Sequence, residues 1–164
     1  MMNYNKPFKI NLKKHNDKRG FLAELYNKNN INLNFNHSIL SVSKKNVIRG
    51  LHFSKKKEYK LLFVLNGKIN DFCINLKTKK KYKFSLKKNE GIFIPPYHAH
   101  GYECLETNNI LIYYLSWPYN KQLEAGIIWN DNTFNINWSI KKPIISSKDK
   151  KLKTYNQIIR NKYK

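Results

Sequence analysis

Apolar positions in the middle of the chain come in short bursts set apart by turn residues. Residues 61–65 are continuously apolar, Asn66-Gly67 follows, and residues 69–76 alternate in character. Two strands flanking an Asn-Gly pair predict a β-hairpin. Further strand-like runs lie at 82–86, 91–94, 101–105 and 110–115, the last after Asn108-Asn109. Pro95-Pro96 stops the run Ile92-Phe93-Ile94, because proline has no N–H for a ladder, and leaves His98 and His100 on the following loop or strand start. Strands this short, spaced by turns every eight to twelve residues or so, predict an all-β sandwich or barrel of jelly-roll type. Only the tail, residues 148–164, changes period: Leu152, Tyr155, Ile158 and Ile159 fall at near-helical spacing and predict a short C-terminal helix.

The chain has 164 residues, the size of one domain, with no internal repeat and no Pro-rich or Gly/Ser-rich linker. A chain of this length buries about 70% of its unfolded surface, enough for a core without disulfides. Cys73 and Cys104 lie in strand-like runs without C-x-x-C spacing and are expected to be buried reduced thiols. The N-terminus is polar, and no run approaches the ~18 apolar residues needed to span a bilayer. The expectation is a soluble, cytoplasmic protein that is not exported and has no membrane partner.

The formal net charge of +22 raises the possibility of a nucleic-acid or anionic-surface partner. The excess is almost entirely lysine, accompanied by abundant Asn and Ile, and arginine occurs only as Arg19, Arg49 and Arg160. Base and phosphate readout favours the planar arginine fork. Compositional drift therefore accounts for the surface, and specific nucleic-acid binding is not expected. Two of the three arginines sit inside motifs.

Those motifs are Asp17-Lys18-Arg19-Gly20-Phe21-Leu22-Ala23-Glu24, Arg49-Gly50-Leu51-His52-Phe53, Ile94-Pro95-Pro96-Tyr97-His98-Ala99-His100-Gly101, and Gly126-Ile127-Ile128-Trp129-Asn130-Asp131. Removing a proton beside a ketone needs a base on one face, a stabiliser for the enolate oxygen and, for inversion, an acid on the other face. A histidine, a lysine and a tyrosine are residues of the right types. In order and spacing the motifs resemble the nucleotide-sugar 3,5-epimerases of the dTDP-4-dehydrorhamnose 3,5-epimerase family, over residues 8–152.

The resemblance implies a cupin jelly roll and the following roles. His52 is the base, oriented by Asp149 of Ser147-Lys148-Asp149; Lys60 faces the developing oxyanion; Tyr113 is the general acid. Arg49, His100, Glu124 and Lys148 hold substrate. Arg19, Leu22 and Glu24 lie on an N-terminal strand reaching toward the partner subunit's site, which makes the active unit a homodimer. The substrate is a nucleotide-diphospho-sugar with a 4-keto-6-deoxy-hexose, and neither metal nor organic cofactor is implied. Two departures concern the nucleotide. Where the family has Gln-x-Asn, ungapped counting lands on His37 and Ile39, and the aromatics after Tyr113 are Trp117 and Tyr119.

Three alternatives stay open at this point. One is an epimerase of another nucleotide-linked 4-keto sugar, such as a GDP-linked heptose, and one is a single-centre C3 or C5 epimerase. The third is a non-catalytic basic module. His98-Ala99-His100 has the alternate spacing of a metal-binding pair. Phe53-Ser54 after His52 supplies no further ligand, so no metal site is expected.

Overall fold

The computed structural model describes residues 4–118 and 120–160. Two five-stranded antiparallel sheets face each other. The first contains β1 (Phe8–Asn11), β4 (His37–Lys44), β6 (Lys60–Asn66), β9 (Glu90–Ile94) and β11 (Asn108–Leu115), in the order β1-β9-β6-β11-β4. The second contains β5 (Ile48–Ser54), β7 (Lys68–Asn75), β8 (Lys81–Lys87), β10 (His98–Cys104) and β12 (Glu124–Gly126), in the order β12-β5-β10-β7-β8. From β4 to β7 the chain changes sheet at every strand, and it does so again from β8 to β12, which is the winding of a jelly roll. A separate hairpin joins β2 (Lys14–Asp17) to β3 (Gly20–Ala23).

Two expectations need correction. The Asn66-Gly67 turn does not close a hairpin: β6 pairs with β9 and β11, whereas β7 pairs with β10 and β8. The corner is pinned to the start of β11 instead. Lys68 N–H donates to Asn109 Oδ1 (3.1 Å), and a Cβ on Gly67 (φ +90°) would meet that oxygen at 2.5 Å. Tight-turn chemistry marks the reversal but does not choose the partner strand. His98 and His100 lie at the start of β10, one of the two expected places, because Tyr97 (φ 62°) turns the chain straight into pairing with β7. The second correction concerns the tail, which forms two short helices, α1 (Ser147–Lys150) and α2 (Tyr155–Arg160). Residues between them leave the helix for a bridge between Lys153 and Ile127. Residues 161–164 of the expected helix lie outside the described residues.

Alternation along β6 shows how the layers are built. Leu62 and Val64 join Ile69, Cys73, Tyr102, Cys104 and Leu111 between the sheets, while Leu61 and Phe63 pack outward with Phe93. The N-terminal segment covers that outer face with Phe8, Ile31 and Phe35. The C-terminal segment covers the other sheet, where Phe134 and Tyr155 pack on Leu51, Ile74 and Ile127. Both free cysteines are buried, and burial raises both thiols, Cys104 to about 11. Among the described residues no helix is long and apolar enough to cross a membrane.

Candidate active site

Toward one end the space between the sheets is not filled by apolar side chains and opens as a cleft of about 470 Å³. Ser41, Lys60 and Tyr113 line it from the first sheet, and Arg49, His52, His100, Tyr102 and Glu124 from the second.

Arg49 and His52 are three residues apart and would point to opposite faces of a regular strand. Both line the cleft because the register between β5 and β10 shifts there: His100 pairs with His52, but Tyr102 pairs with Arg49. Two steps on β10 thus match three on β5, and the extra residue restores both side chains to one face. Gly50 (φ +126°) sits at the shift, where a Cβ would lie 2.5 Å from Gly101 Cα. The glycine of the Arg-Gly-Leu-His motif is required by this crossing of two backbones.

His52 is 38% exposed at the side chain, and its Nε2 meets Asp149 Oδ1 at 2.8 Å. Asp149 itself is almost wholly buried in α1. Ser146 caps that helix, its hydroxyl accepting from Asp149 N–H (3.0 Å), and the second carboxylate oxygen accepts from Gly50 N–H (3.3 Å). Burial pushes the Asp149 carboxyl up, but the His52 bond and charge, the Gly50 amide and the Lys148 charge outweigh it and hold it below the ordinary carboxylate value. With a carboxylate on Nε2, the ring is oriented to offer Nδ1.

On the opposite wall Tyr113 is half-buried beside Tyr102, whose hydroxyl also meets Ser41 Oγ at 3.1 Å. Burial first, and then the neighbouring Tyr102 and Asp71, push the Tyr113 phenol well above its ordinary value, so it keeps its proton at neutral pH. Lys60 Nζ lies 3.3 Å from Glu58, and both side chains are largely buried. Arg49 is clamped from behind, donating to Ser43 Oγ (2.9 Å) and to the Val42 carbonyl (3.3 Å). Lys148 and Glu124 pair across the rim at 2.7 Å.

The fold therefore gathers His52, Asp149, Lys60, Tyr113, Arg49, His100, Glu124 and Lys148 in one place. It does not bring Arg19, Leu22 and Glu24 there. Arg19 sits at the turn of the β2–β3 hairpin paired with Asp17 (2.7 Å), Leu22 is 72% exposed, and Glu24 accepts from Asn27. Ile39 and Trp117 line the cleft, and Tyr119 lies outside the described residues. His98 and His100 each use Nδ1 on a protein oxygen, Pro96 and Asp71 respectively. Among the described residues no group of three or more His, Cys, Asp or Glu is set to hold a metal ion. Sequence reasoning missed Asp71, Glu58, Ser41, Ser43 and Tyr102. Only Glu58, two residues before Lys60, had a local signal.

Comparison with known proteins gives this geometry a lineage. A family model described as dTDP-4-dehydrorhamnose 3,5-epimerase matches residues 3–157. A protein of that name from Methanothermobacter thermautotrophicus is 31% identical over 153 residues, covering 84% of this chain and 83% of the relative. The crystal structure of the Bacillus anthracis dTDP-4-dehydrorhamnose 3,5-epimerase, with TDP and PPi bound, superposes with a TM-score of 0.87 at 29% identity, covering 94% of this chain and 97% of that one. A Legionella pneumophila dTDP-6-deoxy-D-glucose-3,5-epimerase in complex with dTDP-4-keto-L-rhamnose gives 0.85 at 26% identity, covering 93% and 89%. A cleft with a carboxylate-backed histidine on one wall and a protonated tyrosine on the other, in a chain matched almost end to end, belongs to the dTDP-4-dehydrorhamnose 3,5-epimerase family.

Proposed function

We propose that the protein epimerises a nucleotide-linked 4-keto-6-deoxy-hexose, converting dTDP-4-dehydro-6-deoxyglucose to dTDP-4-dehydrorhamnose by acid/base catalysis through an enolate. The observation that carries the reading is the division of roles between walls. His52, backed by Asp149 of α1, stands on one sheet, and Tyr113 with Lys60 stands on the other. A sugar ring held between them meets a base on one face and an acid on the other.

The C4 ketone acidifies the hydrogens at C3 and C5, so the substrate serves as its own electron sink and the reaction needs no metal or organic cofactor. His52 takes the proton, and Asp149 holds the ring and offsets the charge that forms on it. The Lys60 ammonium stabilises the enolate oxygen, and Tyr113 delivers a proton to the opposite face. Arg49, His100, Glu124 and Lys148 hold the sugar and diphosphate. Arg19, Leu22 and Glu24, displaced from their own cleft, serve the site of the partner subunit in a homodimer. The reaction takes place in the cytoplasm, within a single domain spanning the chain.

Incubation in D₂O with dTDP-4-dehydro-6-deoxyglucose tests the reading. Deuterium at both C3 and C5, followed by NMR, is the expected result. Incorporation at one carbon would make the protein a single-centre epimerase. Incorporation at neither, with a panel of other 4-keto nucleotide sugars equally inert, would overturn the reading.

A further inference from the structure

Next to His52, the cleft wall contains a second histidine backed by a carboxylate. Asp71 on β7 is completely buried, and both of its oxygens are occupied. Its Oδ1 accepts from the Cys73 thiol (3.3 Å), and its Oδ2 meets Nδ1 of His100 at 3.2 Å. A carboxylate only accepts, so the ring proton of His100 is on Nδ1. That leaves Nε2 as the atom His100 offers to an occupant of the cleft it lines. Burial holds His100 below its ordinary value in spite of Asp71, and the Lys60 and His52 charges act in the same direction. Burial thus disfavours the charged ring, and a neutral ring bonded to Asp71 through Nδ1 carries its lone pair on Nε2.

The two neighbouring histidines, partners in register, are thus held by opposite nitrogens: His52 through Nε2 and His100 through Nδ1. A lone pair has nothing to give an enolate oxygen, which is itself an acceptor, but it suits an O–H donor. We propose that Asp71 is a positioning residue that fixes His100 as a hydrogen-bond acceptor, and that His100 thereby reads a free hydroxyl of the sugar. This rests on the epimerase reading. A 4-keto-6-deoxy-hexose linked through C1 has two free hydroxyls, at C2 and C3, so the partner is one of these. The site then selects sugars that retain that hydroxyl over their deoxy counterparts.

Two measurements decide the matter. In the wild-type protein at neutral pH, ¹⁵N NMR should show His100, assigned by the signals lost in His100→Ala, with a protonated Nδ1 and an unprotonated Nε2. A protonated Nε2 would overturn the proposal, and this reading requires no variant of Asp71 to fold. Compared with the parent sugar, either the 2-deoxy or the 3-deoxy substrate should show kcat/KM lower by roughly 10- to 100-fold, and His100→Ala should erase the difference. Asp71→Asn, whose amide can donate to Nδ1, should move the proton to Nε2 and erase it too. Equal handling of all three sugars by the wild type would overturn the proposal. Binding that discriminates between them without turnover would overturn only the proposed reaction, and indifferent binding would overturn both.

Discussion

At the scale of single residues, the proposed mechanism gives the side chains of the cleft separable tasks. His52→Ala removes the base, so deuterium exchange at both carbons should fall by at least about 10³-fold while nucleotide binding persists in titration calorimetry. Asp149→Asn leaves the imidazole but reverses its tautomer preference and should cost roughly 10²- to 10⁴-fold in turnover. Tyr113→Phe acts on the other face: exchange should continue and inversion should nearly cease, so equal loss of both would make Tyr113 a positioning group. Asp149 also links folding to pH. Its folded-state carboxyl lies below the ordinary value of 3.8. Its contribution to stability is therefore complete above that value and disappears as pH falls through the lower folded value. Compared with Asp149→Asn, the wild type should lose Tm more steeply below about pH 4 in an acid titration.

At the scale of elements, the register shift at Gly50 and the cap on α1 carry the geometry. Gly50→Ala forces a Cβ to within 2.5 Å of the Gly101 backbone. The strands must part, and a displacement near 1 Å should lower kcat/KM by about 10²-fold, with the protein still folded by circular dichroism. Such features explain what could and could not be read in advance. The strands from β6 to β11 were legible because their apolar runs end in turn chemistry. The Asn66-Gly67 crossover was not, since strand pairing is decided by residues far away in sequence, such as Asn109. The helical tail broke after Lys150 because the Lys153 bridge to Ile127 outweighed its local spacing. His52, Lys60, Tyr113 and Asp149 could be found through motif and resemblance. Asp71 could not, because its meaning depends on a histidine 29 positions later.

For the whole molecule, the +22 charge comes from lysines spread along the chain, whereas the cleft is lined by Arg49, Lys60 and Lys148 among its cations. Replacing Lys150, Lys151 and Lys153 together with Glu should change solubility and isoelectric point but leave turnover within about twofold, because a diffuse lysine surface interacts mainly through screened electrostatics. Lys60→Ala should reduce turnover by about 10²-fold or more by removing the charge proposed to stabilise the enolate. Steady-state kinetics on both variants checks the pair, and the reverse ranking would place the functional cations in the tail.

Asp149 reaches His52 from a segment that begins only after both sheets are complete, 97 positions downstream of the histidine it holds. During synthesis from the N-terminus, every strand of the jelly roll exists before the carboxylate does. A chain stopped short of Ser146 would contain every strand and the cleft-lining Arg49 and His100, yet its His52 would lack the carboxylate that orients it. The order of the sequence thus acts as a completion check, and His52 acquires its carboxylate only after the strands of both sheets have been made.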